Sequence, residues 1–165
     1  MFEVGVAKKV IAMCPWGVGM MGYGIARQKV EGTLHPLHAR TFLIRGTKTQ
    51  KLVAYVSVEL AFLSLAVRQG VLEKLERDHP RLGLGEHNLM LTATHTHSAP
   101  GGYSHHLLYN LTIPGYRPDV VDAVVTAIVD ALVEGHAALQ PGRVGVAQGD
   151  IPVDEHVAFN RSLEA

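Results

Sequence analysis

Three consecutive segments indicate the architecture: LVAYVSVEL at residues 52–60, AFLSLAVRQGVLEKLER at residues 61–77 and NLMLTA at residues 88–93. The first is apolar and β-branched and the third is short and apolar, so each predicts a buried strand. In the middle segment the apolar residues recur at helical spacing, which predicts a helix at about 61–77. Strands that alternate with helices indicate an α/β layered fold in which at least part of the sheet is parallel.

The same alternation extends outward from this unit in both directions. A second helix is predicted at Asp119–Leu139, because Pro118 suits the first turn of a helix and Asp119 suits the positive end of its dipole. Three further strands are predicted, at Phe2–Ile11, Ala39–Arg45 and Arg143–Ala147. We therefore expect a mixed sheet with helices packed on it, in a single domain that covers residues 1–165.

Composition limits the classes of partner. Lys plus Arg equals Asp plus Glu, at 15 each, so no net charge attracts nucleic acid or an anionic membrane. No apolar run reaches the roughly 20 residues that a membrane-spanning helix needs. A lipid substrate would therefore be recognised by shape and apolar contact. Cys14 is the single cysteine, which excludes an intrachain disulfide and a zinc site made of several thiolates.

The strongest local signal is THTHSAPGG at residues 94–102, directly after the predicted strand NLMLTA. Ligands in α/β sheets collect at the carboxyl ends of strands, which is where His95 and His97 fall. If the strand continues through both histidines, their rings project from the same face of the sheet. In a loop the rings can diverge, so that one turns to a metal and the other to substrate. Neutral imidazole is a common zinc ligand, but a bare His-x-His pair is more often an ordinary surface or core pair. Gly101 and Gly102 favour the functional interpretation, because they let substrate approach the backbone.

Other candidates have alternative interpretations. The glycine-rich stretch GVGMMGYG at residues 17–24 lacks the strand and helix context of a phosphate loop, so we interpret it as a turn at the rim of a pocket. Glu59 is either a partner for a histidine or a charge that ends a strand. A set of large apolar residues either lines a route for an acyl chain or fills the core: Trp16, Met20, Met21 and Tyr23.

The stretch NLMLTATHTHSAPGGYSHHLLYNLT at residues 88–112 closely resembles the signature region of the neutral/alkaline non-lysosomal ceramidases, whose usual form is THTHSGPGG. Four further stretches resemble the family in the same order: GMMGYG at 19–24, HARTFLI at 38–44, AALQPGRV at 137–144 and NRSL at 160–163. The resemblance covers essentially the whole chain. Ala99 departs from it, because the family usually has glycine there and the extra methyl group narrows the loop.

The resemblance implies roles for three residues. His95 matches a zinc ligand, and His97 matches a histidine that faces the substrate near the reacting amide. Arg161 matches an active-site arginine, a residue type suited to holding an oxygen of the substrate or of an intermediate. The family's second zinc histidine, its glutamate and tyrosine ligands and its proposed serine nucleophile have no match within the chain.

The implied function is that of a Zn²⁺-dependent amidohydrolase that cleaves the N-acyl amide of ceramide. Family chains are several times longer, so the resemblance implies an N-terminal portion of a catalytic domain, inactive alone, whose partners are ceramide and the remainder of that domain. A peripheral contact with membranes would supply the substrate. The family is secreted or extracellular, although residues 1–10 have the pattern of a strand rather than of a signal peptide.

Two alternative functions remain at this point. The same fold and metal could act on another lipid amide or ester, since the half of the domain that forms the substrate channel is not in this chain. Alternatively, the chain is a non-catalytic fragment or an interaction module. A longer sequence that supplies another histidine, a glutamate, a tyrosine and a serine would distinguish an enzyme from such a module.

Overall fold

The structure is a computed structural model and describes residues 1–113 and 115–155. Short 3-10 turns lie at Pro80–Leu82 and Val153–Glu155. The strands and α-helices of this part of the chain follow one another in the order β1 (Phe2–Val10), β2 (His38–Gly46), β3 (Leu52–Val58), α1 (Leu65–Asp78), β4 (Leu89–Ala93), α2 (Leu107–Asn110), α3 (Pro118–Ala137) and β5 (Gln140–Gly142).

The strands form one mixed sheet in the order β4-β3-β2-β1-β5. Strands β3 and β4 are parallel and are joined through α1, whereas the other neighbours are antiparallel. Helix α3 packs on β1 and β2, and α1 packs against α3. Their buried side chains share one hydrophobic core, which includes Leu43, Val56, Val71 and Ile128. The predicted α/β layered fold with a mixed sheet is confirmed.

Helix α1 begins at Leu65, four residues after the predicted start. The cause is Ser64, whose extended backbone and side chain end the preceding loop: its hydroxyl oxygen accepts a hydrogen bond from the Val67 N–H at 3.2 Å. A capped start of this kind satisfies an N–H that has no partner within the helix. Residues 59–63 are thereby left as a connection between β3 and α1.

The predicted strand at Arg143–Ala147 is wrong. The last strand is β5, Gln140–Gly142, and it pairs with the beginning of β1 in a register that places Gly142 opposite Phe2. Residues 143–147 therefore extend past the first residue of β1, and within the described chain they have no strand opposite them. Val144 and Val146 alternate as in a strand, but no other strand among the described residues pairs with their backbone groups.

The strand predicted at NLMLTA is present as β4, but it is not central in the sheet: it forms one edge within the described part of the chain. Apolar composition alone does not distinguish the two positions, since helices can cover one face of an edge strand. Leu89 points to the covered face and is buried, whereas the next residue, Met90, is 61% exposed. The expected position of THTHS at the carboxyl end of a strand is nevertheless correct.

The face of the sheet opposite the helices is uncovered by the described residues. The strand registers place Val6 opposite Phe42, Phe42 opposite Tyr55, and Tyr55 opposite Met90. These four side chains form a continuous apolar row across the sheet, and each is more than 40% exposed. An apolar row of this length on a sheet face is typical of a surface that packs against further protein.

Candidate active site at the end of strand β4

The paired histidines lie where β4 ends. The Thr94 N–H still donates to the Val58 carbonyl at 3.0 Å, so β3 holds the chain up to that residue. The backbone then turns at His95, which adopts a left-handed conformation with φ +63°. The turn brings the His95 and His97 rings together, with centroids 4.9 Å apart and planes nearly perpendicular at 87°.

The orientation of the His95 ring follows from one hydrogen bond. Its Nδ1 lies 2.7 Å from the Ala61 carbonyl oxygen, in the connection between β3 and α1. A carbonyl oxygen can only accept, so Nδ1 carries the proton and Nε2 keeps its lone pair. Zinc-binding histidines commonly have this arrangement, in which a carbonyl orients the ring and the other nitrogen binds the metal. His95 therefore fits the role of a zinc ligand.

His97 is held by the glycine-rich loop. Its Nδ1 lies 3.1 Å from the Met21 carbonyl oxygen, so its Nε2 also keeps a lone pair. The Tyr23 ring meets the imidazole edge-on, with centroids 5.9 Å apart. Gly22 lies against the same ring so closely that a Cβ at this position would overlap it, and its φ of +92° also favours glycine. His97 is therefore positioned by residues 21–23.

The glycine-rich loop and the loop after the histidines are joined by backbone hydrogen bonds. The Met21 N–H donates to the Ala99 carbonyl at 3.1 Å, and the Gly101 N–H donates to the Gly19 carbonyl at 2.9 Å. These bonds form a short strand-like ladder beside the two rings. The interpretation of GVGMMGYG as a turn next to the site agrees with this arrangement.

The described residues do not complete a metal site. Within residues 1–113 and 115–155, no group of three or more His, Cys, Asp or Glu side chains is placed to hold an ion. A catalytic zinc usually has about three protein ligands and one open position. His95 supplies one such ligand, and His97 lies beside it. The predicted role of Arg161 concerns a residue outside the described range.

The two serines near the histidines have local roles. Ser98 is exposed, and its backbone N–H donates to the Thr96 hydroxyl oxygen at 3.2 Å. Ser104 is buried, and its hydroxyl oxygen accepts from the His106 N–H at 3.2 Å. Neither contact activates a serine as a nucleophile.

Glu59 is a partner for a histidine, but that histidine is His38 rather than His95 or His97. Its carboxylate accepts from the His38 backbone N–H at 2.7 Å and from Arg40 Nη1 at 2.8 Å, and it lies 3.1 Å from His38 Nδ1. Partial burial tends to raise the pKa of Glu59, but the hydrogen bonds from Arg40 and His38 outweigh it and hold the pKa below its usual value. The ionised carboxylate therefore ties the start of β2 to the segment that leads to Ala61.

Sequence reasoning missed two contributors to the site, the Ala61 carbonyl and the close contact of Gly22. Every residue type has a carbonyl, so no sequence signal could have identified Ala61. Gly22 stands in a stretch rich in glycine, and that enrichment was a signal for close backbone approach without an indication of what approaches.

Comparisons with known proteins identify relatives of this chain. The family model described as Neutral/alkaline non-lysosomal ceramidase, N-terminal, matches residues 2–165. The neutral ceramidase of Pseudomonas aeruginosa is 36% identical over 162 residues, which are 98% of this chain and 24% of that protein. The neutral ceramidase of Mycobacterium tuberculosis is 37% identical over 149 residues, which are 89% of this chain and 23% of that protein.

The fold has a solved counterpart. The crystal structure of the Pseudomonas aeruginosa neutral ceramidase matches with a TM-score of 0.82 and 38% identity, over 86% of this chain and 22% of that one. A structure described as ceramidase complexed with C2 matches equally well. The chain thus spans about a quarter of the length of these relatives. None of the helices in the described part of the chain is long and apolar enough to cross a membrane.

Proposed function

Because the chain belongs to the neutral/alkaline non-lysosomal ceramidase family, we propose that it forms the N-terminal part of the active site of a zinc-dependent amidohydrolase that cleaves the N-acyl amide of ceramide. The observation that carries the proposal is the hydrogen bond from His95 Nδ1 to the Ala61 carbonyl oxygen. It leaves Nε2 of His95 available to a metal and holds the ring in one orientation before any metal binds.

Within this proposal, His95 and ligands from the remainder of the domain would hold a zinc ion, which when bound would supply Lewis acidity toward the amide carbonyl. His97 contacts the substrate. Its free Nε2 lies in a ring already oriented by Met21 and Tyr23, so it can accept or return a proton close to the amide. Arg161 holds an oxygen of the substrate or of the tetrahedral intermediate through its guanidinium group.

The nucleophile belongs to the remainder of the domain in this proposal. Ser104 is buried and bonded to the backbone, and the Ser98 side chain has no hydrogen bond to either imidazole within the described residues. The remaining zinc ligands are likewise assigned to the remainder of the domain. This division agrees with the share of about a quarter that the chain has of its relatives' length.

A chimera tests the proposal directly. Residues 2–165 of this chain would replace the matching segment of the Pseudomonas aeruginosa relative, and hydrolysis of a fluorescent ceramide would be measured with and without a chelator. We expect turnover that the chelator removes and that added zinc restores. Full turnover by the metal-free chimera would contradict the zinc dependence, and a folded chimera that cleaves a lipid ester but not ceramide would contradict the substrate.

A further inference from the structure

An apolar cavity of about 460 Å³ lies against residues 98–100, the segment that directly follows the paired histidines in the chain. Its wall comes from three segments, residues 10–15, residues 29–37 and residues 98–100, together with Met20. Ile11, Val30 and Ala99 form buried parts of the wall, whereas Ala12 and Leu34 are exposed and leave the cavity open to solvent. Cavities that hold small ligands commonly measure about 300–1,000 Å³.

The cavity shares its wall with the segments that hold the reacting groups. Ser98 and Ala99 follow His97 directly in the chain. Met20, which forms a backbone bridge with Pro100, precedes the Met21 carbonyl that orients His97. The wall of the cavity therefore includes residues that are adjacent in the chain to His97 and to Met21, which orients its ring.

The chemistry of the wall selects an uncharged apolar occupant. The charged residues of the wall, Lys29 and Glu31, are exposed, so the buried part presents hydrocarbon. Burying a charged or strongly polar group against such a wall without partners would be costly. A flexible hydrocarbon chain would gain about 0.8 kcal/mol for each methylene that it buries.

We propose that this cavity binds one alkyl chain of a lipid amide substrate while the amide itself lies at His97. The proposal rests on the proposed function for the location of the amide. It further assigns chain selectivity to Ala99, because this residue lines the cavity at a position where the family usually has glycine. The acyl chain and the long-chain amine offer the same hydrocarbon, and the experiment distinguishes between them.

Cys14 provides a reporter on the cavity wall. It is exposed and is the single cysteine of the chain, so its reaction with a thiol reagent reports on this position alone. The modification rate would be measured with N-palmitoylethanolamine, with N-acetylsphingosine and with N-acetylethanolamine. We expect one of the two long-chain amides to slow the reaction by at least about tenfold, the equivalent of two buried methylenes, and the short amide to have no effect.

Two matched variants show whether the protection arises in the cavity. Ala12→Trp places a large side chain on the wall, whereas Ala138→Trp places it at the exposed C-terminal end of α3. Near-ultraviolet circular dichroism would establish that both variants are folded. We expect Ala12→Trp to remove the protection of Cys14 and Ala138→Trp to retain it. Protection that persists in Ala12→Trp, or its absence in the unmodified chain with both long-chain amides, would overturn the proposal.

The chimera separates this proposal from the proposed function. In the chimera, Ala12→Trp should lower the ratio of kcat/KM for long-chain amides to kcat/KM for short-chain amides about tenfold. Ala99→Gly should shift the substrate preference of the chimera toward bulkier chains. Cys14 protection requires neither zinc nor turnover. Protection without hydrolysis would therefore refute the proposed function alone, whereas hydrolysis without protection and with an unchanged ratio would refute the cavity assignment alone.

Discussion

His95 combines a left-handed backbone with a ring held from a distant part of the chain. A non-glycine residue in that conformation costs on the order of 1–3 kcal/mol and persists where the surrounding contacts determine it. Here those contacts are the Thr94 N–H bond to Val58 and the ring bond to the Ala61 carbonyl. In this turn the His95 and His97 rings lie with their centroids 4.9 Å apart and their planes nearly perpendicular, at 87°.

Replacement of His95 by alanine in the chimera should abolish hydrolysis and lower the affinity for zinc. Loss of a partner that only orients a ligand commonly costs about 10–100-fold in metal affinity, so loss of the ligand itself should cost more. Zinc content of the purified protein would be measured by elemental analysis. His87→Ala, at an exposed histidine before β4, is the matched control and should retain full zinc content. Unchanged zinc stoichiometry in His95→Ala would refute the assignment.

The contact between Gly22 and the His97 ring leads to a second prediction. In Gly22→Ala the new methyl group must displace the imidazole, so kcat should fall about 100-fold, a loss that a displacement of about 1 Å can cause. Zinc content should remain normal, because His95 is not touched. Gly24→Ala is the control, since a Cβ there would meet no neighbouring atom although the backbone has a positive φ in both places. Equal losses of kcat in Gly22→Ala and Gly24→Ala would show that the effect comes from the positive φ of the backbone and not from contact with the His97 ring.

Among the secondary-structure elements, β2 contains a buried hydroxyl group, that of Thr41, with no hydrogen-bond partner among the described residues. Thr41 is fully buried under α3, and its hydroxyl has no hydrogen-bond partner within the described part of the chain. The buried hydroxyl costs free energy that a methyl group of the same shape would not. The methyl group of Thr41, by contrast, already packs in the tight contact between β2 and Gly135 of α3.

Thr41→Val should therefore raise the free energy of unfolding by about 1 kcal/mol, measured by urea denaturation. Thr92→Val is a control of opposite sign. The Thr92 hydroxyl donates to the Val56 carbonyl at 2.9 Å, so its removal from β4 should lower stability by about 1 kcal/mol. A Thr41→Val protein less stable than the original would show that the hydroxyl has a partner after all.

For the whole molecule, two features of the described residues are incomplete in the same way: the uncovered face of the sheet and the ligand set around His95, the proposed zinc ligand. The apolar row of Val6, Phe42, Tyr55 and Met90 lacks a covering layer, and His95 lacks enough neighbouring ligands, both within the described residues. Folded relatives of the chain are about four times as long. We infer that the remainder of such a domain supplies the missing ligands and the cover for this face.

The 165-residue chain alone should accordingly show no hydrolysis of fluorescent ceramide, whereas the chimera should show it. One imidazole ligand cannot hold a catalytic zinc, and an unactivated amide needs a nucleophile, an electrophile and a proton route together. The assay would include a chelator in both cases. Turnover by the isolated chain that the chelator abolishes would show that the nucleophile and the other ligands had been assigned to the wrong part of the protein.

Local properties of the sequence determined the class of fold and the location of the candidate site. The alternation of apolar runs with helical spacing predicted β1–β4, α1 and α3 to within a few residues, because hydrophobic periodicity reflects the burial of each element by itself. The THTHS motif at the end of NLMLTA located the histidines, and the resemblance of five motifs in order identified the family. None of these inferences requires knowledge of a contact distant in the chain.

Tertiary structure alone decided the edge position of β4, the end of β5 and the orientation of the histidine rings. The register that places Gly142 opposite Phe2 ended β5 before the alternating valines that had predicted a strand. The Ala61 carbonyl, 34 residues before His95, selected the protonated nitrogen of that ring. Both depend on which backbone groups meet in space. Apart from proline, which has no N–H, every residue type has the same backbone donor and acceptor, so residue identity does not reveal these contacts.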